Sequence, residues 1–341
     1  MQKLLVILGP TATGKTDLAL NLAKKFNGEI ISCDSRQVYT GLDIGTGKMP
    51  SQIQMLNIKK RKGYWEVCGV RIWMYDVVNP RIQYTVFNYV KDVSRAVEDI
   101  SNRGKLPIIV GGSGLYLKAL LEGLDSLSVP VDKNLRKGLE KLSLSKLQKK
   151  LQEVNPKKWE KMNQSDRQNP RRLVRAIEIV TNLKLKTNNL PQAEQNYDVL
   201  KIGLIAPREI LYKRVDGRVI KRINQGMIEE VKRLHKEGLT FKRMRQFGLE
   251  YGVLADYLEG KIKSKEDLMK IMQGKIHGYV RRQITWFKNP STRFAEASAR
   301  RAGSGYINWF DITDKSFPKN VEKITSKWYH HSDDTKNRHL S

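Results

Sequence analysis

The fold of this chain is decided by eight residues near its start, Gly9-Pro10-Thr11-Ala12-Thr13-Gly14-Lys15-Thr16. They match G-x-x-x-x-G-K-[ST], the phosphate-binding P-loop. The apolar run Lys3 to Leu8 precedes them, and apolar residues recur at helical spacing from Asp17 to Phe26. Because strand, glycine loop and helix follow in that order, backbone N–H groups and the positive end of the helix converge on an anion. The sequence therefore predicts a site for a di- or triphosphate.

The charge balance indicates a polyanionic partner. The 341 residues include 63 Lys and Arg against 35 Asp and Glu, a formal net charge of +28. Nucleic acid is the first candidate for such an excess and an anionic membrane surface the second. No run of about 18 apolar residues occurs, so no membrane span is expected. Cys33 and Cys68 are the only cysteines, which speaks against a disulfide framework and, with no signal-peptide pattern, predicts the cytoplasm.

Strand and helix patterns alternate through residue 121. Three predicted strands end in polar or glycine-rich corners, at Gly9–Thr16, Asp34–Gln37 and Gly111–Gly114. In open parallel sheets, ligands lie off the carboxyl ends of the strands, so we expect these corners to face one cleft. The predicted fold class is α/β, a P-loop NTPase-like core in which helices flank a parallel sheet, with an inserted all-helical domain.

The insertion is marked by the loss of strand patterns after residue 121. Residues 131–175 carry 14 Lys and Arg with helical periodicity, and Val199 to Ile205 returns to strand. The predicted core is therefore discontinuous, 1–121 and 198–315, with a helical insertion at 122–197. Ser291 to Gly305 is rich in Ser, Ala, Arg and Gly and predicts a flexible insert. A charged and mobile tail is expected at 316–341.

Asp34 is the first candidate for a chemical role beside the P-loop. It follows the apolar run Glu29–Cys33 and precedes Ser35, Arg36 and Gln37, whose side chains hydrogen-bond readily to bases and phosphates. The carboxylate could bind Mg²⁺, accept a proton from an incoming nucleophile, or serve as a helix N-cap. The local sequence leaves these three roles open.

Seven motifs in order give the chain a resemblance to a known family. They are GPTATGKT (9–16), DSRQVY (34–39), DIGTGK (43–48), GGSGLY (111–116), NPRRLVRAIE (169–178), RVDGRV (214–219) and RRQITWF (281–287). Together they resemble the tRNA dimethylallyltransferases, also called tRNA adenosine isopentenyltransferases. Each motif is weak alone, but the ordered set in one basic protein is specific.

The resemblance implies a use of the P-loop that consumes no ATP. Such enzymes hold the pyrophosphate of dimethylallyl diphosphate and move its five-carbon allyl group to N6 of adenosine 37, beside the anticodon of tRNA. Asp34 would then be the general base, Lys15 and Thr16 would act on the leaving group, and Thr16 would contact Mg²⁺. The diphosphate-binding residues implied are Gly9, Pro10, Thr11, Ala12, Thr13, Gly14, Lys15, Thr16, Arg214 and Arg218.

The resemblance also implies contacts with the anticodon stem-loop of tRNA. The residues implied are Asp34, Ser35, Arg36, Gln37, Ser113, Arg136, Arg171, Arg172, Arg175, Arg281 and Gln283. Arg222 continues the row formed by Arg214 and Arg218 on one helix face, where we expect a solvated basic surface. Glu250 departs from the Gly-Tyr-Lys of many members, which puts its contact with tRNA in doubt. Trp286 is expected to pack in the core.

Other functions remain as alternatives. A P-loop kinase acting on a nucleoside or a small hydroxyl compound would explain the loop and Asp34, but it leaves the net charge of +28 without a role. A non-catalytic RNA-binding ATPase would explain the charge and leave Asp34 without one. The expected partners are tRNA and dimethylallyl diphosphate, with Mg²⁺ as cofactor, no membrane, and a monomeric protein.

Overall fold

The structure, a computed structural model, describes residues 1–49, 58–182, 197–288 and 307–331. The predicted Ser291–Gly305 insert and most of the expected linker between Thr187 and Tyr197 lie outside these residues. The strands are β1 (Gln2–Leu8), β2 (Gly28–Cys33), β3 (Ile58–Arg61), β4 (Gly63–Val67), β5 (Val70–Tyr75), β6 (Leu106–Gly111), β7 (Tyr197–Ile205) and β8 (Ile307–Asp311).

The helices divide between two compact units, one of residues Met1–Glu122 with Gln192–Ser341 and one of Gly123–Pro191. The first contains α1 (Lys15–Lys25), α2 (Val86–Asn102), α3 (Gly114–Leu121), α9 (Arg208–Asn224), α10 (Met227–Lys236), α11 (Phe241–Phe247), α12 (Leu249–Leu258), α13 (Lys265–Lys288) and α14 (Phe317–His330). The second contains α4 (Lys133–Leu139), α5 (Leu144–Val154), α6 (Pro156–Glu160), α7 (Gln164–Arg167) and α8 (Pro170–Thr181).

One mixed sheet of eight strands forms the core of the first unit, in the order β3-β4-β5-β2-β6-β1-β7-β8. Within this order, the six strands β5, β2, β6, β1, β7 and β8 are parallel to one another, as predicted. Strands β1, β2 and β6 are almost wholly buried, which is typical of a parallel sheet covered on both faces. The predicted α/β architecture with flanking helices is confirmed.

The three corners singled out in the sequence meet at one edge of this sheet. Strand β6 lies between β1 and β2, with Leu8 and Cys33 both in register with Gly111. Gly9, Asp34 and Gly112 therefore follow three neighbouring strands at their carboxyl ends. The expectation that these corners face one cleft is confirmed, since residues of all three line the same cavity.

The first three strands in the sheet order are not all parallel to one another. Strands β3, β4 and β5 pair antiparallel. The two residues between β4 and β5, Cys68 and Gly69, both have positive φ, 50° and 79°, as a tight type I′ hairpin turn requires. The sequence predicted strands between Val67 and Val78, and the short turn explains why they pair in this way.

The expectation of a mobile tail from residue 316 is wrong for most of the described part. Phe317 to His330 form α14, in which Val321 and Thr325 are fully buried. The Tyr329 ring lies 5.5 Å from that of Phe26, and Lys3 Nζ donates to the carbonyl oxygen of Trp328. Polar and charged residues outnumber apolar ones in this segment, but buried side chains one helical turn apart hold the helix in place.

The second unit is wholly helical in its described residues and has its own apolar core. The core contains Leu139, Leu147, Leu151, Met162, Leu173, Val174, Ala176 and Ile177. Helix α8 contributes four of these residues, Leu173, Val174, Ala176 and Ile177. The helix begins where it does because the Asn169 side chain caps it and Pro170 occupies its first turn. The assignment of this unit to tRNA binding stays a prediction.

Candidate functional site

A cavity of about 560 Å³ lies at the carboxyl ends of β1, β2 and β6. Residues from the P-loop, from the corner after β2 and from helices α9, α12 and α13 line it. Those whose side chains carry charge or hydrogen-bonding groups are Thr11, Lys15, Thr16, Asp17, Asp34, Arg36, Gln37, Thr46, Arg214, Arg218, Lys221, Arg222, Gln225, Glu250, Tyr279 and Gln283. Basic side chains outnumber acidic ones, which suits an anionic ligand.

The P-loop has the backbone geometry that its glycines allow. Gly9 has a φ of 138°, and a Cβ atom there would collide with the carbonyl oxygen of Leu204. Gly14 has a φ of 82° and caps the start of α1 without a side-chain hydrogen bond. The first N–H groups of α1 are therefore left for a ligand at the positive end of the helix dipole. Thr13 is buried and donates to Pro10 O.

Lys15 lies folded over the loop that it belongs to. Its Nζ donates to Pro10 O at 2.6 Å, and Thr13 Oγ1 lies 3.4 Å away. Burial, aided by the positive charge of Arg218 and partly opposed by Asp34, lowers the pKa of this ammonium to about 7. A bound diphosphate would supply the opposite charge that this group lacks.

Helix α9 places two arginines on the P-loop, as predicted. Arg214 Nη1 donates to Ala12 O at 3.3 Å, and Arg218 Nη2 donates to Thr11 Oγ1 at 3.4 Å. Burial lowers the pKa of Arg218 to about 9, with Arg222 adding to the effect. These guanidinium groups and Lys15 form a cationic wall that is poised for a phosphate group.

Asp34 lines the same cavity, immediately after β2. Its Oδ1 accepts a 2.8 Å hydrogen bond from the backbone N–H of Arg36, an Asx turn that fixes the carboxylate. Its Oδ2 has no hydrogen-bond partner among the described residues. Asp34 begins no helix, so the N-cap alternative is wrong, because the four residues after it form a turn.

Gln283, a predicted tRNA contact, has a buried side chain that bonds to the backbone of the protein itself. It is 6% exposed, its Oε1 accepts from Thr11 N at 2.8 Å, and its Nε2 donates to Gly112 O at 2.9 Å. The side chain thus joins the P-loop to the corner after β6. Both of its polar ends are used by backbone groups, so the structure assigns it to shaping the phosphate site.

Arg36 and Arg222 share a buried partner that sequence reasoning missed. Arg36 Nη1 donates to Glu250 Oε2 at 2.6 Å, and Arg222 Nη1 lies 3.3 Å from Glu250 Oε1. Arg222 also donates to Gly45 O at 3.0 Å. The expectation of a solvated Arg222 is wrong. Arg36 lines the cavity and is held there by Glu250, and its contact with tRNA stays a prediction. Glu250 shares no local motif with either arginine.

The loop of the DIGTGK motif is held by buried charges. Glu230, 6% exposed, accepts hydrogen bonds from the backbone N–H groups of Asp43, Ile44 and Gly45 and from the hydroxyl of Tyr251. The Lys48 ammonium is fully buried and bonds to Asp43, Asp76 and the carbonyl of Tyr39. This loop forms one wall of the cavity, so its charges fix the shape of the cavity.

Three other predicted residues lie beside the cavity. Gln37 accepts from Ser32 Oγ and donates to the carbonyls of Thr46 and Gly47, so it joins β2 to that loop. Ser113 bonds with the hydroxyl of Tyr279, a cavity residue whose pKa burial and Asp34 raise to about 12. Ser35 is half-buried within the turn.

The predicted tRNA arginines of the second unit separate into two kinds. Arg136 and Arg175 both bond to the fully buried Glu178, whose pKa burial would raise but these two partners hold below its usual value. Both side chains thus stabilise the interior of the unit, and their contact with tRNA stays a prediction. Arg171 and Arg172 are exposed at the start of α8, with Arg172 paired to Asp166.

The remaining predictions for the site come from α13. Arg281 is exposed and donates to the hydroxyl of Tyr212 at 3.2 Å. Trp286 packs over Gly114, where a Cβ atom would meet the indole ring. Within the described ranges, no cluster of three His, Cys, Asp or Glu side chains suits a metal ion, and no helix there is long and apolar enough to cross a membrane.

Comparisons with known proteins identify the family of the chain. The family model described as IPP transferase matches residues 37–290, and the model described as isopentenyl transferase matches residues 2–61. The chain is 42% identical to tRNA dimethylallyltransferase 2 of Treponema denticola over 286 residues, 83% of this chain and 90% of the relative.

Solved structures give the same result at the level of the fold. The full-length tRNA isopentenylpyrophosphate transferase of Bacillus halodurans has a TM-score of 0.65 at 30% identity, with 100% of both chains covered. A eukaryotic dimethylallyltransferase acting on tRNA has a TM-score of 0.74 at 24% identity, covering 98% of this chain and 80% of that one. The chain therefore belongs to the family of tRNA dimethylallyltransferases.

Proposed function

We propose that this protein transfers the dimethylallyl group of dimethylallyl diphosphate to N6 of adenosine 37 in tRNA and releases pyrophosphate. The observation that carries the proposal is the shared cavity, in which the P-loop cations and the Asp34 carboxylate line one space. Its volume of about 560 Å³ falls within the range of small-molecule sites, about 300–1,000 Å³. Val110 and Ile276 add apolar surface that suits an allyl chain.

The P-loop side of the cavity supports departure of the leaving group. As the bond between the allylic carbon and the diphosphate oxygen breaks, negative charge grows on the pyrophosphate. The N–H groups of α1, Lys15 and Arg218 lie where they stabilise that charge. Because these groups are fixed before reaction, little reorganisation is needed as the charge develops.

The Asp34 side of the cavity supports attack by adenine. The N6 lone pair is delocalised into the ring, so the amine is a poor nucleophile until its proton is removed. As the bond from N6 to the allylic carbon forms, Asp34 accepts the N6 proton. The base must leave its stack to reach this carboxylate, since N6 is enclosed within a folded anticodon loop.

The cavity offers few protein ligands for Mg²⁺. Thr16 and Asp17 line the cavity, but without a cluster of acidic ligands among the described residues, most of the oxygens would come from the diphosphate and water. The hydroxyl of Thr16 would add one protein ligand. The ion, when bound, would neutralise charge on the leaving group.

The positive charge of the chain supports recognition of an RNA backbone. Exposed arginines of α8, Arg171 and Arg172, are suited to phosphate contacts. Binding of a small-molecule substrate by a kinase does not explain the net charge of +28. The family comparisons support tRNA modification instead. The cytoplasmic location and the monomeric state belong to the proposal as well.

One experiment tests the reaction directly. The full chain is incubated with unmodified tRNA and radiolabelled dimethylallyl diphosphate, and in parallel with radiolabelled ATP. We expect label on N6 of the adenosine beside the anticodon from the first donor, and neither RNA labelling nor phosphate release from the second. Phosphate transfer from ATP without prenyl transfer would establish the kinase instead.

A further inference from the structure

Glu250 is out of place in a cavity that binds an anion. It lies in the first turn of α12, is 4% exposed and lines the same space as Lys15. A carboxylate there repels a diphosphate, and burying it carries a desolvation penalty. A group that weakens ligand binding and is costly to bury calls for a role in the reaction itself.

The contacts of Glu250 show which charges it offsets. Its two oxygens divide between two guanidinium groups, Oε2 with Arg36 at 2.6 Å and Oε1 with Arg222 at 3.3 Å. Burial would raise the pKa of Glu250, but Arg36 and then Arg222 outweigh it and hold the pKa below its usual value. Glu250 is therefore ionised at neutral pH and offsets the positive charges of Arg36 and Arg222.

Arg36 has a second carboxylate within reach. Its Nε lies 3.8 Å from Asp34 Oδ1, which already accepts the backbone N–H of Arg36. The Arg36 side chain is 12% exposed, so water provides little competition for it. Glu250 and Asp34 thus compete for one guanidinium, and the shorter contact belongs to Glu250.

We propose that Glu250 is a positioning residue, which holds the Arg36 guanidinium away from Asp34 and so leaves that carboxylate able to accept the adenine proton. Without the charge on Glu250, Arg36 pairs fully with Asp34. A paired aspartate is a weaker proton acceptor, because its ionised form is stabilised. This inference rests on the proposed function of the same site.

The test separates the chemical step from ligand binding. Glu250→Gln keeps the shape and removes the charge. Single-turnover prenyl transfer at saturating tRNA should fall about tenfold or more, a fraction of the 10²–10⁴ typical of general-base catalysis. Binding of inorganic pyrophosphate, measured by calorimetry, should be as tight as in the wild type or tighter, since one negative charge leaves the cavity wall. A merely structural role would weaken both together.

Glu29→Gln is the matched control. Glu29 is 1% exposed, lies in the same unit and bonds to two basic side chains, Arg103 and Lys105, outside the cavity. Below its unfolding temperature this variant should keep the wild-type rate and pyrophosphate affinity. A wild-type rate in Glu250→Gln would overturn the inference, as would a parallel loss of rate and pyrophosphate affinity.

A second variant keeps the test decisive if Glu250→Gln folds poorly. The double variant Arg36→Gln/Glu250→Gln removes both members of the shorter pair. Arg222 then loses its carboxylate partner, as it does in the single variant, and keeps its hydrogen bond to Gly45 O. The double variant should be faster than Glu250→Gln at saturating tRNA, because the Arg36 guanidinium is no longer there to pair with Asp34. A double variant no faster than the single one would refute the proposed role. A wild-type protein that binds pyrophosphate yet never prenylates tRNA would instead refute the proposed function.

Discussion

Lys15 Nζ and the carbonyl oxygen of Pro10 lie 2.6 Å apart, so the lysine of the P-loop bonds to its own loop. Burial, with help from Arg218, lowers the pKa of this ammonium to about 7. A lysine with this pKa gains or loses its proton near neutral pH. A diphosphate placed on the loop stabilises the charged form and raises the pKa again. Binding and protonation of Lys15 are therefore linked.

We expect pyrophosphate binding to take up a proton above pH 7. The pKa of Lys15 is about 7 in the free protein and higher in the complex, so affinity is full below pH 7 and falls as the pH rises, by at most about tenfold per pH unit. Calorimetry at pH 8 in buffers of different ionisation heat measures the uptake. Lys15→Arg, which stays charged, should remove this component and leave only the protons of pyrophosphate itself. Equal uptake in wild type and variant would show that Lys15 is already charged.

Asp34→Asn should slow the chemical step without lowering the affinity for tRNA. The amide is isosteric and cannot accept the N6 proton, so single-turnover prenyl transfer should fall about 10²–10⁴-fold. The affinity for tRNA, measured by filter binding, should stay close to that of the wild type. A variant with wild-type turnover would remove Asp34 from the mechanism, and a large loss of tRNA affinity would make it a binding residue.

The position of the P-loop in the fold could be predicted from the sequence because its signal is local. The P-loop occupies eight consecutive residues, Gly9 to Thr16, and the strand and helix around it are short-range patterns. Asp34 could be placed in the same cleft for a similar reason, since the carboxyl ends of parallel strands meet at one edge. The four-residue spacing of Arg214 and Arg218 placed both on one helix face, and both contact the P-loop.

The supporting charges could not be predicted, because each partner is distant in the chain. Gln283 and Thr11 are 272 residues apart, and Arg36 and Glu250 are 214 apart. Such pairs depend on how α12 and α13 pack against the sheet, and no periodicity in the sequence reports that. A resemblance names residues near RNA but does not say whether their side chains are free, as Arg136 and Arg175 illustrate.

Secondary structure could be predicted where apolar residues form continuous runs, and it was missed where they are sparse. The parallel strands and the strand at Tyr306–Asp311 follow from apolar runs, and β8 is found at Ile307–Asp311. Helix α14 was missed because polar and charged residues surround its two buried positions, Val321 and Thr325, which are spaced one turn apart. A spacing of four residues in an otherwise polar segment was the signal that could have found it.

The two kinds of arginine in the helical unit give opposite expectations. Arg171 and Arg172 are exposed, so replacing both by Gln should weaken tRNA binding and reduce the salt slope of log affinity by about one for each RNA phosphate that is no longer neutralised. The unfolding temperature should hardly move, since the interior of the unit is unchanged. A salt slope equal to that of the wild type would take these arginines out of the tRNA interface.

Arg136→Gln is the matched comparison within the same unit. It removes one partner of the fully buried Glu178 and leaves that carboxylate with less compensation. We expect a loss of stability of several kcal/mol, typically about 3–5 for a broken buried pair, measured by chemical denaturation. If Arg136 were instead a tRNA contact alone, stability would be unchanged and only the affinity for tRNA would fall.

Glu29 should make the protein sensitive to acid. Burial would raise its pKa, but hydrogen bonds from Arg103, Lys105 and Trp73 lower it to about 2, against 4.5 in an unfolded chain. Its contribution is therefore complete above pH 4.5 and is lost as the pH falls from there toward 2. At neutral pH it amounts to about 3 kcal/mol of unfolding free energy. Glu29→Gln should lose that amount at pH 7, and its difference from the wild type should shrink below pH 4.5.

The comparison that isolates this effect is Glu237→Gln. Glu237 pairs with Arg233 at the surface, where its side chain is 56% exposed, and such a pair contributes about 0–1 kcal/mol. Urea denaturation of both variants between pH 3 and 7 gives the two profiles. Parallel profiles for Glu29→Gln and wild type would show that Glu29 titrates alike in the folded and unfolded chains. The hydrogen bonds at the start of β2 would then not hold its charge.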